Sequence, residues 1–132
     1  MLKTGIQLTN TLTVTKSQTA KSVGSGGLDI LATPSIISLM EKTAWESILP
    51  FLDKEDDTVG IFLEINHIAP TPIGAIVSCT STLIDIDKRK LTFQIEAFDN
   101  KEKIAHAIHK RFIIKKDTFQ QKANNKLLLN KE

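Results

Sequence analysis

With 132 residues, 41% of them hydrophobic and 24% charged, the chain is long enough to bury one core without disulfides or metal, and its composition excludes a disordered or fibrous protein. Seventeen basic against fifteen acidic side chains leave a net charge of +2, which gives no general electrostatic reason to expect nucleic acid. The single cysteine, Cys79, permits neither an internal disulfide nor an intrachain thiolate metal cluster and is compatible with a reducing compartment.

The amino terminus, MLKTGIQLTN, lacks the unbroken apolar run of a signal peptide, and no segment reaches the roughly 20 apolar residues of a membrane span, so a cytoplasmic protein with no membrane partner is expected. A first strand is predicted in TGIQLTNTLTVTKSQTA, which is rich in Thr, Val and Ile with partial alternation. A flexible glycine-rich stretch, KSVGSGGLDILA, follows and ends at Thr33 and Pro34. Thr as N-cap with Pro at the first helical position predicts a helix start, and the apolar period continues to Ile48 before Pro50 and DKEDD end it. At about 100° per residue, Glu41 shares a face with Ile37, Ala44, Trp45 and Ile48, whereas Lys42 and Glu46 project away. A carboxylate on a face that should be packed needs a partner.

Four period-two segments come next, separated by short polar or Gly/Pro turns. DTVGIFLEINHIAP aligns Val59, Ile61, Leu63, Ile65 and His67 on one face, opposite Glu64 and Asn66. GAIVSCTSTLIDI groups Ala75, Val77, Cys79 and Leu83 opposite Ser78, Thr80 and Thr82, and LTFQIEAFD groups Leu91, Phe93, Ile95 and Ala97. IAHAIHKRFII is the last strand. Turns this short favour antiparallel neighbours. The chain therefore reads as a single domain over residues 1–132, frayed from about residue 120, with one long helix packed on an antiparallel sheet in an α+β layer fold.

His67 repeats the puzzle of Glu41, because it continues the apolar parity of its strand. Alone, each has a structural reading, a core histidine bonded to backbone or a paired carboxylate; together, converging across the sheet, they point to a site. Thr33 reads as an N-cap, yet it also stands where unpaired helix N–H groups favour developing negative charge. Thr33 and Glu41 lie about two turns and roughly 80° apart, so cooperation between them runs through substrate, water or a second chain. The GSGG stretch lacks a Gly-Lys-Ser/Thr ending and reads as a hinge. His106 and His109 point to opposite faces of a strand and cannot chelate a metal together. Cys79 reads as core. Arg111 shares the parity of Ala105 and Ala107 and reads as an ion-paired or solvated arginine, or as an anion partner.

The element order, with ATPSIISLME, TVGIFLEINHIAPTPIG, RKLTFQIEAFD and HKRF at their spacings, resembles the fluoroacetyl-CoA thioesterase branch of the hotdog thioesterases from about Leu12 to Phe119. The resemblance implies a hotdog fold, a curved antiparallel sheet wrapped around one central helix. It implies hydrolysis of an acyl-CoA thioester by a Thr/Glu/His constellation, here Thr33, Glu41 and His67, without cofactor or metal. Glu41 is then general base or nucleophile, His67 transfers a proton or polarises the carbonyl, and Thr33 orients water or attacks. Gly60, of the Val-Gly pair, and Arg111, of the His-x-Arg-Phe segment, are the implied substrate-binding residues, Gly60 through a bare backbone N–H for the thioester oxygen or else as a structural bulge, and a homodimer with sites at the subunit interface is implied too. One departure bears on substrate: SVGSGGLDILA carries no aromatic residue where the family has an aromatic lid, so fluoroacetyl preference does not carry over. Rival readings are an acyl-CoA binding module without turnover and, ranked last for want of a close Asp/His motif, a hotdog hydratase or dehydratase.

Overall fold

The computed structural model describes residues 1–128. Five strands, β1 (Gln7–Thr13), β2 (Asp56–His67), β3 (Ile76–Asp87), β4 (Lys90–Phe98) and β5 (Lys103–Lys115), form one sheet in the order β1-β3-β4-β5-β2, with every neighbouring pair antiparallel. A one-turn helix α1 (Ala20–Val23) and the long helix α2 (Thr33–Ile48) lie between β1 and β2, and α3 (Lys116–Leu128) follows β5. The chain is helical through α3 to Leu128, and residues 129–132 lie outside the described residues.

The core forms where alternation in the strands meets the helical period of α2. Val77, Cys79 and Leu83 of β3, Leu91, Phe93, Ile95 and Ala97 of β4, and Ala105 and Ala107 of β5 are buried as the period-two reading predicts. They pack against Ile36, Leu39, Met40, Ala44 and Ile48 of α2, which lies mainly over β1 and β3. The buried stripe is therefore rotated from the one expected: Glu41, Ile37 and Trp45 lie on its flank, only partly covered. β2 departs from a single parity as well. A register shift between Gly60 and Phe62 inserts an extra residue, so Thr58 faces inward before it and Leu63, Ile65 and His67 after it, while Ile61 is 52% exposed. A bulge does this because one added residue reverses the side-chain alternation beyond it.

Candidate active site

The start of α2 is built differently from the sequence expectation. Ala32 is the N-cap, so Thr33 is the first helical residue and Pro34 the second. Pro is tolerated there because a first-turn N–H has no intrahelical partner to lose. Freed from capping, the Thr33 hydroxyl lies 2.7 Å from Nδ1 of His67, the last residue of β2. Nε2 of the same ring is buried without a hydrogen-bond partner. Burial lowers the His67 pKa below its ordinary value, and the Ala69 backbone acts in the opposite direction. The ring borders an open pocket of about 250 Å³ lined by Ile30, His67, Ile68, Ala69 and Pro70.

Two turns further along α2, Glu41 is not inside the core, since its side chain is 45% exposed. The partner that a carboxylate near a packed face requires is Arg111, whose Nη1 lies 3.8 Å from Glu41 Oε2. Arg111 is buried and fully engaged: Nε donates to Thr58 Oγ1 at 2.8 Å, Nη2 to the Thr58 carbonyl at 3.0 Å, and Nη1 to His109 Nε2 at 3.1 Å. Burial lowers its pKa, whereas Glu41 and then Asp57 support the charge. His109, wholly buried, donates from Nδ1 to the Phe62 carbonyl at 2.8 Å. Its pKa is lowered, first of all by burial. Gly60 lies under this group. A Cβ there would come within 2.6 Å of Glu41 Oε2, 3.2 Å of His109 Cε1 and 3.4 Å of Arg111 Nη1, so only glycine leaves the carboxylate its present place. Glu41, Lys42, Trp45 and Arg111 line a shallow pocket of about 210 Å³.

The site residues expected from sequence thus fall into two groups, Thr33 with His67 and Glu41 with Gly60 and Arg111. No hydrogen bond or ion pair among the described residues joins them. Thr33, which meets His67, and Glu41 are separated by about 12 Å of helix axis. His109 is the addition. Sequence reasoning weighed it only as a metal ligand, although its parity with Arg111, two residues on, was visible. His106 is exposed on the opposite face, as expected. Cys79 is a buried core thiol pushed up to about 11 by burial. Among the described residues, no group of three His, Cys, Asp or Glu side chains is placed to hold a metal ion, and no helix is long and apolar enough to cross a membrane.

An antiparallel sheet packed on one long helix is the architecture of a hotdog fold. The family model described as fluoroacetyl-CoA-specific thioesterase matches residues 14–117, and the chain belongs to that family. It is 28% identical over 98 residues, 74% of this chain and 70% of the other, to a fluoroacetyl-CoA thioesterase of Streptantibioticus cattleyicolor. A crystal structure of a mutant of the fluoroacetyl-CoA-specific thioesterase FlK in complex with fluoroacetate and CoA superposes with a TM-score of 0.85 at 23% identity, over 89% of this chain and 99% of that one. A hot-dog-like protein from Thermanaerovibrio acidaminovorans gives 0.86 at 19% identity, over 93% and 91%.

Proposed function

We propose that this chain hydrolyses short or medium acyl-CoA thioesters with Thr33, Glu41 and His67 as catalytic groups and Gly60 and Arg111 as substrate-binding groups. The observation that carries the reading is the 2.7 Å contact between the Thr33 hydroxyl and His67 Nδ1 at the start of a helix that also carries Glu41. A hydroxyl and a neutral imidazole in this contact form a proton relay. Glu41, partly exposed beside a buried guanidinium, takes a proton from the attacking water as the water oxygen bonds to the thioester carbon. The carbon–sulfur bond then breaks, the sulfur takes the Thr33 hydroxyl proton as Thr33 takes one from His67 Nδ1 and His67 Nε2 takes one from solvent, and Glu41 releases the water's proton to solvent. Arg111 supports negative charge developing next to Glu41. Gly60 leaves Glu41 its place beside Arg111, because no side chain stands there.

The same proposal includes a homodimer. β2 is an edge strand that exposes Ile61 and Phe62, and an unpaired apolar edge invites pairing with a second copy. Antiparallel pairing of two β2 strands centred near Leu63 and Glu64 would set His67 of one chain opposite Gly60 of the other, which completes each site from two subunits. Fluoroacetyl-CoA specificity, the property in the name of the matched relatives, is not included. The segment before α2 has no aromatic residue, and Leu28 within it is 65% exposed, which leaves the mouth open to acyl groups of other shapes.

The test is thiol release from acyl-CoAs ranging from acetyl to long-chain, fluoroacetyl included, by the wild type and by Thr33→Ala, Glu41→Gln and His67→Ala, each first checked for folding. Turnover that falls at least about a hundredfold in the folded variants, a loss of roughly 2.7 kcal/mol of transition-state stabilisation, is the expected result. Saturable acyl-CoA binding without turnover anywhere in the panel would overturn it in favour of a binding module.

A further inference from the structure

We propose that His109 is a positioning residue, a neutral imidazole that fixes the Arg111 guanidinium toward Glu41 and ties it to the β2 bulge. This rests on the functional reading above, in which Arg111 and Glu41 belong to the site. The chemistry of its two neighbours assigns the ring's proton. A backbone carbonyl only accepts, so Nδ1, 2.8 Å from the Phe62 oxygen, carries the hydrogen. A guanidinium only donates, so Nε2, 3.1 Å from Arg111 Nη1, offers a lone pair. One neutral tautomer satisfies both contacts.

The consequence is geometric. Thr58 holds the Nε and Nη2 side of the guanidinium, and His109 holds Nη1, the nitrogen that faces Glu41 Oε2. Without the Nε2 lone pair, the nitrogen nearest the carboxylate loses its inner anchor. At its other end the ring grips Phe62, which borders the register shift next to Gly60, so one buried side chain sets both the cation and the bulge. Its own pose is fixed by the Phe93 ring of β4, with centroids 6.1 Å apart. The charged groups around it are Arg111 on β5, Glu41 from α2 and Asp57 from β2, which acts on Arg111. Protonation of Nε2 would set an N–H against an N–H and one cation against another, so the anchor exists only in the neutral ring.

Two substitutions separate its two contacts. In His109→Gln the amide oxygen reaches the Nε2 position and accepts from Arg111, whereas in His109→Asn the amide nitrogen replaces Nδ1 at Phe62 and nothing reaches Arg111. With the best substrate of the acyl-CoA panel, Asn should lower kcat/KM by at least about tenfold and Gln should recover it to within about threefold. Nitrogen-15 NMR of wild-type imidazoles should show His109 as the neutral Nδ1–H tautomer at pH 7, and the Arg111 Nη1–H signal should exchange with water faster in Asn than in Gln. Equal activity of the two variants, whether both intact or both impaired, would overturn the proposal, as would a protonated ring or the other tautomer. If the wild type turns over none of the panel, the thioesterase reading has failed, and the NMR tautomer and exchange rates alone decide whether His109 positions Arg111.

Discussion

Glycine at position 60 is a requirement of contact, not of backbone conformation. The chain there has no positive φ, so alanine fits the backbone, but its Cβ would stand 2.6 Å from the far end of the Glu41 side chain. That end is partly exposed and free to move, so the fold should hold while the carboxylate leaves Arg111. The same Cβ would crowd Cε1 of wholly buried His109 at 3.2 Å, so Gly60→Ala is expected to lower stability by about 1 kcal/mol, an ordinary substitution cost, and to lose about tenfold or more in kcat/KM. Full activity in a folded Gly60→Ala protein would remove Gly60 from the site. The two inward histidines carry a second consequence at this scale. Both His67 and His109 have pKa values pushed below the ordinary 6.5, chiefly by burial. Below that value the unfolded chain binds protons that the folded chain still refuses, so stability is complete above about pH 6.5 and falls as the pH drops through the unfolded value toward the lowered native ones. The urea midpoint should be lower at pH 5.5 than at pH 7.5, and His109→Gln should show a smaller drop. A midpoint that does not change between the two pH values would contradict the burial account.

At the scale of elements, α2 joins the two halves of the site to the core by different faces. Met40, wholly buried against the sheet, belongs to the face that holds the helix down, and Glu41, its neighbour in sequence, to the flank that meets Arg111. Met40→Ala should cost about 2–5 kcal/mol through the cavity it leaves, measured by urea unfolding, with turnover per folded molecule close to wild type. A stable but inactive Met40→Ala protein would mean that core packing and site cannot be separated in this way. The sheet was legible in the sequence because β3 and β4 obey one parity from end to end, with Val77, Cys79 and Leu83 and then Leu91, Phe93, Ile95 and Ala97 all buried. β2 was legible only beyond residue 62. The bulge reverses the alternation at Gly60, and no local residue preference announces on which side of a glycine the extra residue will fall. The helix start was misread by one residue for a related reason. Thr caps well when its hydroxyl is free, but here a histidine 34 positions away claims it, and a tertiary contact of that kind leaves no local trace. Arg111 as the partner of Glu41, and His109 behind it, required the register of β5 against β2 that places Gly60 opposite Arg111.

For the whole molecule, the sheet order leaves β2 and β1 at the two edges, and the edges are not alike. β1 turns threonines outward and bonds across to β3, with Thr9 and Thr80 oxygens 2.7 Å apart, which is a solvated surface. β2 is longer, twelve residues, and shows Ile61 and Phe62 to solvent beside the bulge. Leaving such an edge open exposes unpaired backbone groups next to apolar side chains, a combination that soluble proteins normally cover. In the proposed dimer a second copy would cover it with the same surface, since a two-fold axis needs only one self-complementary strand. That dimer would also offer a link absent within one chain, because among the described residues the Thr33 and His67 pair has no bond to Glu41 of its own chain. Light scattering of the wild type should then give twice the monomer mass. Ile61→Lys, which puts a cation on an exposed side chain of that edge, should shift the protein to monomer and reduce acyl-CoA turnover by at least about tenfold, with circular dichroism unchanged. A wild type that is monomeric at assay concentration yet turns over normally would show that the two groups act within a single chain, and the dimeric arrangement would have to be abandoned.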